Sequence, residues 1–378
     1  MDFSKVSNDS VGIDEHRFSE SNGTSSNNNS LTAVVMDPLA VALKLTSCSI
    51  IGILSIIGNI LVIFVVFRVA RMKTTTFYLI VNMSFSDILF TLISMPPFML
   101  AVLGHGLVFG GKAGTFICKF VNPSSFGLMA SSVLTMTAIA LDRFLAIKHP
   151  LQAMMGTRML KGIIISIWAA SLIVSLPLVF SYELKEEKNF YYCEEKWSSS
   201  DTDNNLASRV YTIVLFIIIY CVPFLSMAIL YYSLAHHLWC KKIPNNFHPI
   251  QRYLIICRRR VVRMLVAVLF CFIVCWLPLQ VVTFSAYFQE DIQISLNVIF
   301  AVEMLIRANG AINPFLYLIF SRTFRQAAIK AFRFCFKRHE FASSQNDNKR
   351  KASSFLTIVA NNNRMGSLKA IKKQETPI

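Results

Sequence analysis

The chain has 378 residues, of which 54% are hydrophobic and only 15% are charged. Soluble domains carry roughly 25% charged residues, so the composition and a mean hydropathy of +0.52 exclude an ordinary soluble domain. The formal net charge of +16 does not indicate a nucleic-acid-binding face, because such a face needs a soluble scaffold.

Seven apolar segments are long enough to cross a bilayer as helices, which takes about 20 residues. They fall at 45–67, 76–103, 115–147, 160–180, 209–234, 262–286 and 294–319. An odd number of spans argues against a transporter built from two equal halves. A channel would need polar residues along a continuous path, and the polar positions form one enclosed cluster instead.

The segment before the first span, residues 1–42, is rich in Asn and Ser and has three N-x-S/T acceptors, at Asn8, Asn22 and Asn28. Such sequons mark glycosylation sites in exposed segments outside the cell. We expect residues 1–42 to form a disordered, glycosylated extracellular tail.

The distribution of basic residues predicts the orientation, since cytoplasmic loops carry the excess of Lys and Arg. With the N-terminus outside, the inner loops and tail hold most of the 37 basic residues. Their only acids are Asp142, Glu340, Asp347 and Glu375. The outer segments are acidic on balance. This predicts a plasma membrane protein with an extracellular N-terminus.

Two cysteines lie on the side predicted to be extracellular, where disulfides persist. Cys118 opens the third span and Cys193 lies in the acidic outer loop. We expect them to be bonded. On the other side, FRQAAIKAFRFCFKR after the seventh span predicts an amphipathic helix at 322–338 on the inner leaflet, where Cys335 is a candidate for palmitoylation.

Polar residues and prolines interrupt the apolar spans in a definite order. Each polar residue alone can be a structural contact between helices, and each proline kinks its helix. The polar set is Asn59, Asp87, Asp142, Arg143, Asn309 and Asn313, and the prolines are Pro223, Pro278 and Pro314. Taken together and in this order, these residues point to one protein family far more specifically than any one of them does alone.

Across about residues 45–338 the sequence resembles the rhodopsin-like G-protein-coupled receptors. The matching motifs are GNILV at 58–62, NMSFSD at 82–87, LDRFLAIKHPL at 141–151, Trp168, Pro223 with Tyr231, FCFIVCWLP at 270–278 and NPFLY at 313–317. The resemblance implies an all-α integral membrane protein, a seven-helix bundle at 43–321. It also implies a receptor, not an enzyme, that binds an extracellular ligand and activates heterotrimeric G proteins. Arrestin and receptor kinases are the partners it implies for a disordered cytoplasmic tail at 339–378.

The resemblance also implies roles for individual residues. The G-protein switch consists of Asp142, Arg143, Tyr231 and Tyr317; the transmission residues are Trp276, Phe272, Pro223 and Val133; and an allosteric sodium pocket consists of Asp87, Ser132, Asn309 and Asn313. No other cofactor is implied. Arg258 stands where some members place an acid that locks Arg143, so Asp142 alone is expected to restrain Arg143.

The class of ligand can be narrowed at two positions. Amine receptors have an aspartate 18 residues before the switch arginine, and this chain has Ser125 at that distance from Arg143. Light receptors have a lysine seven residues before the proline of the NPFLY motif, and this chain has Arg307 there. A guanidinium cannot form the retinal imine. Ser125 therefore argues against an amine receptor, and Arg307 excludes a visual pigment.

The outer loop YYCEEKW at 191–197 looks like the loop that roofs the pocket of neuropeptide receptors as a two-stranded hairpin. An acidic outer face would steer a basic peptide; the alternative is that these acids only solvate the loop. We expect an extracellular peptide ligand, with a lipid or other small non-amine ligand as the alternative. The predicted pocket residues are Ser125, Met129, Glu195, Trp197, Gln280, Thr283, Glu303 and Arg307.

Glu303 and Arg307 lie four residues apart in the seventh span and therefore on one helix face. Intramembrane charges usually face a cavity and mark function. One hypothesis is a structural ion pair that faces the bundle. The other is that Glu303 binds a basic group of the ligand while Arg307 holds Glu303 in place, or that Arg307 itself binds an acidic or carbonyl group.

Overall fold

The computed structural model describes residues 37–72, 74–103, 110–148, 156–187, 190–239, 249–289 and 294–333. The chain divides into two compact units, Met1–Arg325 and Gln326–Ile378. The predicted modification sites Asn8, Asn22, Asn28 and Cys335 lie outside the described residues, as do residues 1–36 of the first predicted tail and all of the tail at 339–378. Residues 38–42, predicted to be disordered, are helical.

Seven described helices are long and apolar enough to cross a membrane, as predicted. They are α1 (Pro38–Arg68), α2 (Thr75–Val102), α3 (Gly111–Lys148), α4 (Thr157–Ser181), α5 (Thr202–Trp239), α6 (Pro249–Phe288) and α7 (Leu296–Phe320). Residues 322–325 are helical in the first unit, and residues 326–333 are helical in the second.

Most helices extend beyond the predicted apolar segments, because a helix keeps its backbone hydrogen bonds after it leaves the hydrocarbon layer. Helix α1 begins seven residues earlier than predicted: the Asp37 carboxylate accepts a hydrogen bond from the Leu39 amide, 3.0 Å away, and caps the helix. The inner end of α6 begins at Pro249 instead of 262, so Arg258 lies within a helix.

Helix α3 packs against α2, α4 and α5 and occupies the centre of the bundle. Polar side chains join three of these helices. The indole of Trp168 in α4 donates to the Asn82 side-chain oxygen in α2 over 2.9 Å, and the Asn82 amide donates to the Thr135 hydroxyl in α3 over 2.8 Å. Bonds of this kind hold membrane helices together where lipid supplies no hydrophobic drive.

A close approach between α1 and α7 explains Gly58 in the GNILV motif. A Cβ atom built on Gly58 would lie 2.9 Å from Cγ of Pro314. A side chain at this position would therefore push the two helices apart at the kink of α7.

The predicted outer hairpin is present. Strands β1 (Tyr182–Glu187) and β2 (Phe190–Glu195) pair antiparallel, and their register places Glu183 opposite Glu194. Lys185 forms an ion pair with Glu194, and the Lys196 amine lies 3.8 Å from a Glu183 carboxylate oxygen. The two lysines offset the repulsion between the facing glutamates.

Candidate ligand-binding and signalling sites

The hairpin is fastened to the outer end of α3 by a disulfide bond. Cys118 and Cys193 are bonded, with 5.3 Å between their Cα atoms, which confirms the predicted pair. Both cysteines are buried, and they pack with Tyr182 and with Leu178 of α4. The bond thus fixes one strand of the hairpin at the outer end of the bundle.

Glu195 anchors the end of the hairpin to α6. Its side chain is buried, and its carboxylate accepts hydrogen bonds from the Trp197 indole at 2.5 Å and from the Tyr287 hydroxyl at 2.8 Å. The Trp197 ring in turn packs 4.8 Å from the Tyr211 ring of α5. Sequence analysis placed Glu195 and Trp197 in the ligand pocket; here they bind each other and hold the loop against two helices.

The hairpin also carries a tyrosine that is affected by a neighbouring acid. The Glu186 side chain hydrogen-bonds Tyr191 and raises the pKa of that phenol. The raised pKa keeps the Tyr191 phenol neutral to a more alkaline pH, so it adds no negative charge to two strands that carry five glutamates.

Glu303 and Arg307 form an ion pair on α7, with side chains that are only 15% and 9% exposed. The Arg307 guanidinium also donates to the Glu303 carbonyl oxygen at 3.0 Å and to the Ser94 carbonyl oxygen of α2 at 3.4 Å. Its carbon lies 3.9 Å from the centre of the Phe98 ring, a distance typical of a cation–π contact. The pair therefore joins α7 to α2.

Aromatic rings of α2 and α7 lie on the outer side of Arg307 and form one wall of the predicted ligand pocket with it. The Phe98 ring stacks on the Phe300 ring at 5.7 Å, and the Lys44 amine lies 5.2 Å from the centre of the Phe300 ring. Lys44 also donates to the Asn297 side-chain oxygen at 2.8 Å. Two cations thus enclose a stacked pair of rings between α1, α2 and α7.

A second wall of the predicted ligand pocket is formed by α3, α5 and α6, which are linked by Tyr220. Its hydroxyl lies 3.5 Å from the Met129 sulfur, and the Gln280 side chain hydrogen-bonds it. Thr283 is buried one turn further out on α6. The Ser125 hydroxyl donates to the Val121 carbonyl oxygen at 3.0 Å, within its own helix. Met129, Gln280 and Thr283 are therefore brought to one wall, formed by α3, α5 and α6.

Trp276 lies at the base of this wall, surrounded by aromatic rings. Its ring stacks on Phe272 at 5.6 Å and lies 6.3 Å from Tyr220 and 6.5 Å from Phe90 of α2. Phe224 of α5 packs 5.4 Å from Phe272. The two other predicted transmission residues, Pro223 and Val133, are buried in α5 and α3.

Asp87 is buried in mid-bundle among neutral polar side chains. Its carboxylate accepts hydrogen bonds from the Ser132 hydroxyl and from the Asn313 amide, each at 3.1 Å. Asn309 is buried on the same helix as Asn313. A Cβ atom on Gly310 would lie 3.4 Å from Cβ of Asp87, so the wall is close-packed there.

At the inner end of α3, Asp142 holds Arg143. One carboxylate oxygen of Asp142 accepts from the Arg143 guanidinium at 2.6 and 3.0 Å and also from the Thr76 hydroxyl of α2. Tyr231 and Tyr317 are buried and line one cavity, whose remaining lining is mostly apolar. Arg143 thus binds Asp142 and not Tyr231 in this structure.

The inner ends of α5 and α6 are joined by Arg259. Its guanidinium donates to the Leu238 carbonyl oxygen at 2.9 and 2.6 Å and lies 5.4 Å from the centre of the Trp239 ring. The last carbonyls of a helix have no partner within the helix, and a cation there also offsets the helix dipole. The three arginines 258–260 therefore include one that links α6 to α5.

Four residues of these sites were missed by sequence analysis: Ser94, Phe98, Tyr220 and Tyr287. The signal for Tyr220 is the lone tyrosine in the apolar run FIIIYC. Ser94, Phe98 and Tyr287 are distinguished only by their contacts with Arg307 and Glu195, which lie far away along the chain.

Comparison with known proteins agrees with this geometry. Residues 58–317 match the family described as "7 transmembrane receptor (rhodopsin family)". The chain is 28% identical to a substance-P receptor of Aquarana catesbeiana, over 83% of this chain and 76% of that protein. It is 30% identical to a QRFP-like peptide receptor of Branchiostoma floridae, over 77% of each chain.

A third relative, the tachykinin-like peptides receptor 99D of Drosophila melanogaster, is 29% identical over 74% of this chain and 54% of its own length. The family match runs from the GNILV motif to the NPFLY motif, so every site residue described above except Lys44 lies inside it. The chain belongs to the rhodopsin family of seven-transmembrane receptors, the G-protein-coupled receptors of the plasma membrane, and is not an enzyme.

Proposed function

We propose that this receptor binds an extracellular peptide under the outer hairpin and responds by activating a heterotrimeric G protein. The observation that carries the proposal is the hairpin itself, an acidic roof bonded to α3 by Cys118–Cys193 and to α6 by Glu195 and Tyr287. The peptide receptors among its relatives support the same class of ligand.

In this proposal the ligand acts on two walls. Glu303 and Arg307 face it from α7, while Met129 and Gln280 face it from α3 and α6. A shift of Tyr220 then reaches Trp276 and Phe272 through their ring contacts. The inner ends of the helices move in consequence, Arg143 leaves Asp142, and the G protein binds there. Arrestin and receptor kinases act on the tail at 339–378, which lies outside the described residues.

A screen that compares peptides with lipids as activators of the receptor tests the proposal. Cells that express the receptor are exposed to a peptide library and to a lipid library, and calcium and cyclic nucleotides are measured. We expect responses to peptides, absent from cells without the receptor. Responses to lipids alone would contradict the peptide proposal and favour the other ligand class.

We also propose that a sodium ion binds at Asp87 when the receptor is at rest. A buried carboxylate with only neutral hydrogen-bond partners, Ser132 and Asn313, favours a cation beside it. The oxygens of Asp87, Ser132, Asn309 and Asn313 are the hard ligands that such an ion prefers. Arg307, two residues before Asn309, is paired with Glu303, which reduces its repulsion of a cation.

Replacing potassium by sodium at constant ionic strength is expected to lower agonist affinity by about fivefold or more, since an ion that binds only one state shifts the population towards it. Asp87→Asn should remove this effect. Radioligand binding in membranes measures it independently of signalling. Equal affinity of the wild type in both salts would contradict the sodium proposal.

A further inference from the structure

Two hydroxyl groups link α1 to α2 next to the buried side chain of Asp87. The Ser55 hydroxyl of α1 lies 2.8 Å from the Thr91 hydroxyl of α2, and both side chains are buried. The Thr91 hydroxyl donates its only proton to the Asp87 carbonyl oxygen, one turn earlier on α2, over 2.8 Å. Since a hydroxyl carries a single proton, Ser55 is the donor to Thr91. The lone pairs of Ser55 Oγ therefore accept no hydrogen bond from the described residues.

Gly310 of α7 leaves a small space between this oxygen and Asp87. A Cβ atom built on Gly310 would lie 3.3 Å from Ser55 Oγ, 3.4 Å from Asp87 Cβ and 3.5 Å from Asp87 Cγ. The missing side chain thus marks a point that the Ser55 oxygen and the Asp87 carboxyl group both border. The packing around Gly310 is close, so the space is no larger than the methyl group that glycine lacks. A small ion or one water molecule fits it.

A second acceptor without a donor lies among the same residues. The Asn59 side-chain amide donates to the carbonyl oxygens of Ser55 and Gly310, each at 2.9 Å, while Asn59 Oδ1 is buried and has no partner in the described part of the chain. Buried polar atoms are nearly always paired, and an acceptor is paired by a donor or by a positive charge. Two such acceptors beside a carboxylate that has only neutral partners favour a cation there, bare or with a bound water.

We propose that Ser55 supplies an oxygen to the sodium site of Asp87, directly or through one water bound to the ion, across the space over Gly310. Asp87, Ser132 and Asn313 approach the ion from α2, α3 and α7, and Ser55 adds a ligand from α1. Hydroxyl and carboxylate oxygens are the ligands that hard cations prefer. The inference rests on the sodium site proposed above and extends that site to a fourth helix.

The test uses the sodium ion itself and needs no peptide ligand. Purified receptor is unfolded by heat in sodium chloride, in potassium chloride and in mixtures of the two at constant ionic strength. An ion that binds only the folded receptor raises the unfolding temperature as its concentration exceeds its dissociation constant, so the series measures the affinity for sodium. We expect Ser55→Ala to raise the sodium concentration that gives the same increase by about fivefold or more, the worth of one contact in a buried site.

Thr91→Val is the matched control, and each variant is compared with itself in potassium so that a general loss of stability cancels. Thr91→Val breaks the same hydroxyl pair but leaves the Ser55 oxygen in place, so its sodium dependence should stay close to that of the wild type. A rescue variant moves the oxygen to another helix. Ser55→Ala combined with Gly310→Ser places a hydroxyl in the same space from α7, where the added Cβ no longer meets Ser55 Oγ. We expect this double variant to recover most of the sodium dependence.

Three outcomes would overturn the inference in distinguishable ways. An unchanged sodium dependence in folded Ser55→Ala would contradict the role of Ser55 and leave the site at Asp87 intact. The same loss in Thr91→Val, without recovery in the double variant, would show that the hydroxyl pair and not the Ser55 oxygen supports the ion. Equal unfolding temperatures of the wild type in sodium and in potassium would contradict the sodium site and the Ser55 inference together.

Discussion

Arg143→Ala is expected to reduce G-protein activation to the level of untransfected cells while surface expression and ligand binding remain. Arg143 lies at the inner end of α3 and is bound to Asp142, which Thr76 also holds. Its guanidinium is about one quarter exposed, and the Asp142 carboxylate that it leaves behind keeps the hydrogen bond from the Thr76 hydroxyl. Nucleotide exchange, cell-surface labelling and radioligand binding measure the three properties separately.

Two variants control this experiment. Arg158→Ala removes an exposed arginine at the inner end of α4 and should leave activation unchanged. Asp142→Asn weakens the hold on Arg143 and should raise basal activity, since Arg258 offers no acid at the inner end of α6 to replace it. Full activation by a well-expressed Arg143→Ala receptor would contradict the assigned switch.

Glu303→Gln and Arg307→Gln are each expected to destabilise the receptor by about 3 kcal/mol or more, because each leaves one buried charge without its partner. Such a loss is a large fraction of the stability of a folded protein. It should appear as low surface expression. The double variant removes both charges and should recover expression.

Agonist potency of the double variant then separates the two hypotheses for the pair. If Glu303 binds a basic group of the ligand, expression recovers and potency stays low, which is the result that we expect. A purely structural pair would let potency recover as well, and normal potency in a well-expressed double variant would defeat the ligand hypothesis. Glu183→Gln is the matched control, because it breaks an exposed ion pair with Lys196, and exposed pairs contribute little.

The outer hairpin shows how far local sequence goes. The likeness of YYCEEKW to the outer loop of neuropeptide receptors predicted the hairpin, and the extracellular position of Cys193 predicted its bond to Cys118; the structure confirms both. The same pattern assigned Glu195 and Trp197 to the ligand. In the structure Glu195 binds Tyr287, 92 residues further along the chain. No local pattern encodes that partner.

The helix ends show a similar limit. Hydropathy found all seven spans. On the inner side, however, it ended the fifth span too early and began the sixth too late, because hydropathy records where lipid contact ends and not where backbone hydrogen bonds end. Hydropathy therefore gave Arg259 no partner. The helical extension turns it towards the last carbonyls of α5, where it binds the Leu238 oxygen.

The sequence by itself determined the class of this protein: seven spans from apolar length, orientation from Lys and Arg, and the receptor family from motifs at fixed spacing. It also placed Glu303 and Arg307 on one face, since a helix repeats every 3.6 residues. Only the tertiary structure decided that Arg307 reaches Ser94, 213 residues earlier in the chain, and lies over Phe98. The reason is physical: spacing fixes neighbours along one helix, whereas the rotation and packing of separate helices decide which faces meet.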